Sequence, residues 1–77
     1  RHEIDLIIDL GHRGVLAIEV KAASSASVRD ARHLMWLRDA LGPRFLRGIV
    51  LHTGPDTYNI DERIVAAPIS ALWAAGS

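Results

Sequence analysis

The sequence predicts an α/β domain: an antiparallel hairpin, a crossover helix, a parallel strand and a short terminal helix. Three observations predict it. Two apolar stretches, residues 4–8 and 15–20, flank Gly11-His12-Arg13-Gly14, which reads as two strands and a hairpin turn whose glycines are free to take positive φ. Residues 28–41 then place Val28, Ala31, Leu34, Met35, Leu37 and Leu41 on one helical arc. Residues 45–52 follow, with a near-continuous apolar run from Gly48 to Leu51 that suits a central strand buried on both sides.

In chain order, residues 2–10 form the first strand and 15–22 the second. Their register matters, because Glu3 and Asp5 share one face of the first strand, and Glu19 and Lys21 share one face of the second. Asp5 faces Glu19 only if the loop has three or five residues or carries a bulge; a two-residue turn at His12-Arg13 would set Asp5 opposite Val20. A small-residue loop over 23–26 leads to Ser27, an N-cap with Asp30 three residues on, and Gly42 closes the helix before Pro43. The helix between two parallel strands implies a right-handed crossover. Residues 53–59 read as a loop around Gly54-Pro55-Asp56, and 62–67 as a short edge strand. Pro68 suits the first position of a terminal helix over 69–75, with Leu72 and Trp73 packing inward.

Composition bounds the function. The chain has 77 residues, enough for one domain, with 49% apolar and 23% charged residues and no repeat or low-complexity segment. Opening at Arg1 directly into a strand pattern, it reads as a piece of a longer protein. A net charge of zero argues against strong non-specific binding to nucleic acid by this piece alone. Cysteine is absent, which excludes a disulfide frame and thiolate chemistry. No apolar run approaches membrane-spanning length and no secretory signal is present, so the cytoplasm is the default location. His2, His12, His33 and His52 lack zinc-ligand spacing and read as scattered surface or strand-end residues. There is no glycine-rich phosphate loop and no serine nucleophile elbow.

What remains is the charge set into the strands. An acid and a lysine in an apolar strand need a partner, because unpaired buried charge is costly. Lys21 is the only lysine of the chain. If the hairpin register is right, Asp5, Glu19 and Lys21 meet on one surface, the minimum set for holding a divalent cation and orienting a water for attack on phosphate. A structural ion pair across two strands is the alternative.

An acid followed by Glu-x-Lys on the next strand resembles the PD-(D/E)XK nuclease superfamily. More narrowly, Glu3-Ile4-Asp5, Ala17-Ile18-Glu19-Val20-Lys21-Ala22, the serine run with Arg29-Asp30, Gly48-Ile49-Val50-Leu51-His52-Thr53-Gly54 and Pro68-Ile69-Ser70-Ala71-Leu72-Trp73 resemble the functionally uncharacterised C-terminal domain of predicted prokaryotic AAA-type ATPases. The resemblance implies a restriction-endonuclease-like core with upstream elements outside this piece. It also implies a Mg²⁺ or Mn²⁺ site on Asp5, Glu19, the Val20 carbonyl and, as an extra ligand or second-shell base, Glu3; a solvated Glu3 is the alternative. Lys21 would stabilise or help deprotonate the attacking water. Arg29, Arg32 and Trp36 form a second arc of the helix with His33, and read either as contacts to a phosphate backbone and a stacked base or as a solvated face with Trp36 at the core rim. Arg38 falls inside the apolar arc and either stretches to the rim or reaches an acid such as Asp5. The expected function is a metal-dependent nuclease-like domain acting on DNA, attached to an ATPase module of the same parent chain; the alternative is a catalytically silent module of the same fold that binds nucleic acid or its ATPase. A domain this short is expected to leave a sheet edge open, and a homodimer of the piece is a further expectation.

Overall fold

The structure is a computed structural model and describes residues 3–72. It is a mixed α/β fold in which one helix, α1 (Arg32–Leu41), packs on a five-stranded sheet. The strands are β1 (Leu6–Asp9), β2 (Val15–Val20), β3 (Phe45–His52), β4 (Tyr58–Asp61) and β5 (Ile64–Pro68), in the spatial order β1-β2-β3-β5-β4. The central strands β2, β3 and β5 are parallel, and the four-residue edges β1 and β4 are each antiparallel to their neighbours.

The β1–β2 hairpin has the register the acidic pair requires. Leu6 pairs with Ile18 and Asp9 with Val15, so the loop spans residues 10–14 and one further step sets Asp5 across from Glu19. Within it, residues Gly11–Arg13 make one 3₁₀ turn, with Gly11 at φ 68° and Gly14 at φ 121°. Gly14 has a second reason to be glycine, because a Cβ there would lie 2.7 Å from the Arg44 carbonyl oxygen.

β2 runs through α1 into a parallel β3, as the strand–helix–strand pattern implies, and β3 has the predicted bounds. Leu34 and Leu37 of α1 are buried over Ala17, Phe45, Val50, Ile64 and Ala66, with Met35, Leu41, Tyr58 and Ile60 at the margin. Gly48 marks the closest approach, since an added Cβ would meet the Phe45 ring at 2.8 Å and Leu34 at 3.3 Å. The opposite sheet face carries Leu6, Ile18, Ile49 and Val65 in one row across four strands.

Five expectations need correction. The first strand is four residues long rather than 2–10, because the Asp5 side chain takes the Val20 N–H that a longer strand would bond through its backbone. The helix over 28–41 opens as a 3₁₀ turn at Arg29–Ala31, and only Arg32–Leu41 is α-helical. The loop over 53–59 is shorter, because Tyr58 and Asn59 belong to β4. The strand placed at the edge, now Ile64–Pro68, lies inside the sheet; β4 is the edge, joined to it by a tight turn in which Arg63 takes φ 59°. Pro68 ends β5 rather than starting a helix, and the Ile69 N–H donates to the His52 carbonyl. Residues 71–72 are helical; Trp73 and the rest of the expected helix, like His2, lie outside the described residues. Among the described residues no helix is long and apolar enough to cross a membrane.

Candidate functional site

The charged residues of β2 sit at its carboxyl end, where a parallel sheet opens toward its ligands. Alternation puts Glu19 on the α1 side of the sheet, in line with the buried Val15 and Ala17. Beyond Val20 the backbone stays in line, with the Lys21 N–H donating to the Leu51 carbonyl at 2.8 Å. The first turn of the helical segment lies over this end. Together they line an open pocket of about 280 Å³, formed by Glu19, Val20, Lys21, Ala22, Asp30, Arg32 and Val50.

Asp5 reaches the same place from β1. Its Oδ2 accepts the Val20 N–H at 2.7 Å, which fixes the acid next to the β2 acid. The Glu19 carboxyl is pushed above its ordinary value, chiefly by burial; His33 and Arg32 pull it down, while the negative charges of Asp5 and Asp30 add to the rise. Its Oε2 is buried and has no hydrogen-bond partner among the described residues. A buried carboxylate oxygen without a donor is unusual, because the cost of stripping it of water is not recovered.

Lys21 does not point its ammonium directly at Glu19. It pairs with Asp30, Nζ to Oδ1 at 3.0 Å. The other oxygen of Asp30 accepts the Ser27 N–H at 2.8 Å and the Ser27 hydroxyl at 3.1 Å. Ser27 is nevertheless not the N-cap expected of it: Val28 precedes the 3₁₀ turn and Ala31 precedes α1, neither with a side-chain cap bond. The Ser27 N–H and, after it, Lys21 hold the Asp30 carboxyl below its usual range, against the opposing effect of burial. The Ser27–Asp30 contact was legible in the three-residue spacing; Asp30 as the lysine's partner was not.

His33 is the other residue that sequence reasoning set aside. Its Nδ1 lies 2.7 Å from both the backbone nitrogen and the carbonyl oxygen of Glu3, bonding one or the other according to tautomer, and 4.0 Å from Glu19 Oε1. The available signal was its place on the same helical arc as Arg29, Arg32 and Trp36. Glu3 joins the site through its backbone. Arg32 lines the pocket and also donates to the Arg29 carbonyl at 2.8 Å. Trp36, one turn further along α1, is half-exposed. Arg38 does reach acids, but Asp39 at 3.1 Å and Asp61 of β4 at 3.5 Å rather than Asp5, and it donates to the Glu62 carbonyl at 3.0 Å. His52 is a strand-end residue as expected, yet it is buried, accepting the Gly54 N–H on Nδ1 at 3.0 Å with Nε2 2.8 Å from the Asp56 carbonyl.

The donor chemistry at Asp5 and Glu19 fits a hard divalent cation, which takes oxygen ligands and keeps waters in its other positions. The orphaned Glu19 oxygen is the observation in favour. Among the described residues, no group of three or more histidine, aspartate or glutamate side chains is gathered to hold a metal by protein ligands alone.

Residues 1–72 match the family model described as a domain of unknown function, DUF4143. The chain belongs to that family. No curated protein and no solved structure matches it.

Proposed function

We propose that this domain is a divalent-metal-dependent nuclease-like domain that acts on DNA phosphodiesters, in the manner of the PD-(D/E)XK superfamily, and serves an ATPase module of the same parent chain in the cytoplasm. The observation that carries the reading is the Glu19 carboxyl: pushed up chiefly by burial, with its buried Oε2 unpartnered among the described residues, near Asp5, which bonds the Val20 N–H, and in the same pocket as Lys21. The order of acid, then Glu-x-Lys, on an antiparallel hairpin that leads through a helix to a parallel strand supports it further.

Asp5 and Glu19 are the residues that would hold Mg²⁺ or Mn²⁺, with the Val20 carbonyl beside them. When bound, such a cation polarises a phosphoryl oxygen and lowers the pKa of a bound water. The chain supplies the rest. Lys21 donates hydrogen bonds to the attacking water and offsets phosphate charge. Arg32 at the pocket wall, with Arg29 and Trp36 along the same face, guides the nucleic-acid backbone toward the pocket.

A second reading has its own observation. Lys21 is already paired with Asp30, which favours a catalytically silent module that binds nucleic acid or its ATPase through this face. A cleavage assay separates the two. Labelled single- and double-stranded DNA is incubated with the chain and Mg²⁺ or Mn²⁺, wild type beside Asp5→Asn. Metal-dependent cleavage lost in the variant is the expected result; binding without cleavage under every metal favours the silent module.

A further inference from the structure

Asp30 is engaged twice, and only one engagement is needed for its visible structural role. Oδ2 bonds Ser27 and starts the helical segment. Oδ1 holds the ammonium of Lys21 at 3.0 Å, and both residues line the pocket. We propose that Asp30 is the positioning residue of this site: anchored on Ser27, it fixes the Lys21 ammonium at the pocket wall and leaves the remaining N–H donors for the reacting water and phosphate. The inference rests on reading the pocket as a phosphodiester-cleaving site.

Three features of the structure lead there. Lysine is a point charge on a four-carbon stem, and it holds a set place only where a partner fixes its end. The side chain of Lys21 is 41% exposed and follows an exposed Val20, so packing does not supply that restraint. Asp30 is the shorter and better buried partner, and it is tied by two bonds to Ser27, so it is the fixed member of the pair. An ammonium has three donors, and one bond to a carboxylate leaves two directed elsewhere. Asp30, Lys21 and Glu19 all line the same pocket, so the free donors face the space a substrate would occupy.

A single lysine makes the test direct. Lysine labelled with ¹⁵N gives one side-chain ammonium signal, from Lys21, read without metal or substrate. Asp30→Asn keeps an oxygen for the Ser27 N–H and removes the charge from Lys21, so the helix start survives. The expected result is a slowly exchanging ammonium signal in the wild type that is lost or shifted in Asp30→Asn, with backbone amides of α1 unmoved. In the metal-dependent cleavage assay kcat falls about 10–100-fold, the range for losing a group that orients a functional one, with KM little changed. Ser27→Ala, which leaves the Asp30 charge in place, retains the signal. An ammonium signal identical in wild type and Asp30→Asn overturns the positioning role, whatever the cleavage assay shows. A lost signal with undiminished kcat overturns it too. An Asp30-dependent signal in a chain that cleaves nothing upholds the placement of Lys21 and removes the nuclease reading.

Discussion

The carboxylate of Asp5 accepts the backbone N–H of Val20 at 2.7 Å, so an acidic side chain completes the sheet where β1 has no further backbone to offer. This bond sets Asp5 beside Glu19, the acid of the pocket on β2. It also separates two jobs of Asp5 that substitution can divide. Asp5→Asn keeps an acceptor oxygen and should melt near the wild type. Asp5→Ala should lose about 1 kcal/mol, the usual worth of one such bond, or roughly 4–8 °C in Tm. Both should abolish Mn²⁺-induced broadening of the Glu19 and Val20 amide signals. Persistence of that broadening in Asp5→Asn would remove Asp5 from the metal site.

Glu19 gives a stability prediction with a definite sign. Its folded-state carboxyl titrates above the ordinary value of 4.5, so the fold binds that proton more readily than the unfolded chain. The contribution of this group is therefore full below the unfolded value and is lost as pH rises through the folded one. Glu19→Gln should raise Tm at pH 7, by a free energy on the order of 1 kcal/mol, the usual cost of a buried acceptor left without a donor. The gain should shrink toward zero near pH 4. Melting curves across that range check it, and a variant less stable than wild type at pH 7 would show the ionised carboxylate to be compensated.

Tyr58 links the far edge of the sheet to the pocket loop. Its hydroxyl donates to the Ala26 carbonyl at 2.6 Å and accepts the Ala26 N–H at 2.7 Å. Tyr58→Phe leaves two backbone groups without that partner and should cost about 1–3 kcal/mol. Urea unfolding measures the loss, and hydrogen exchange should quicken first at the Ala26 amide.

Gly54 is required by contact rather than by dihedral. A Cβ there would sit 1.9 Å from the Ser24 carbonyl oxygen, while the Thr53 N–H bonds the Ala23 carbonyl at 2.8 Å. Gly54→Ala must force the two loops apart, and a loss of 2 kcal/mol or more is expected, at the high end for a single added methyl. Thermal melting decides it.

The parts legible in the sequence were those written in strong local patterns. The unbroken apolar run of β3, the helical arc around Leu34 and Leu37, and the glycine-flanked turn each carry their period or their φ requirement on the surface of the text. The parity of the hairpin was a condition rather than a deduction: Asp5 falls across from Glu19 in one register and not in the next, and the five-residue loop supplies it. The β4–β5 hairpin was not legible, because its turn uses Arg63 at positive φ where a glycine or asparagine would have announced it. What holds Arg63 there is tertiary: its guanidinium sits 5.7 Å over the Phe45 ring and donates to the Gly42 and Phe45 carbonyls. The candidate site was legible in part: Glu19, Lys21 and Arg32 line the pocket, but Asp30 and His33 were not named for it. Lys21 chose Asp30 over the neighbouring acids, and His33 found Glu3, through a helix start whose placement over β2 no local pattern encodes.

The five residues between β1 and β2 act as a counter. Removing or adding one of them would turn the outward acid of the first strand to the opposite side while leaving the hydrophobic rows nearly as well filled, since that strand is exposed along its whole length. Removing or adding two would restore the meeting of the acids. Length change in this loop therefore keeps the two acids together in even steps only, so a one-residue indel here would take apart the proposed site while leaving the parallel strands β2, β3 and β5 in place.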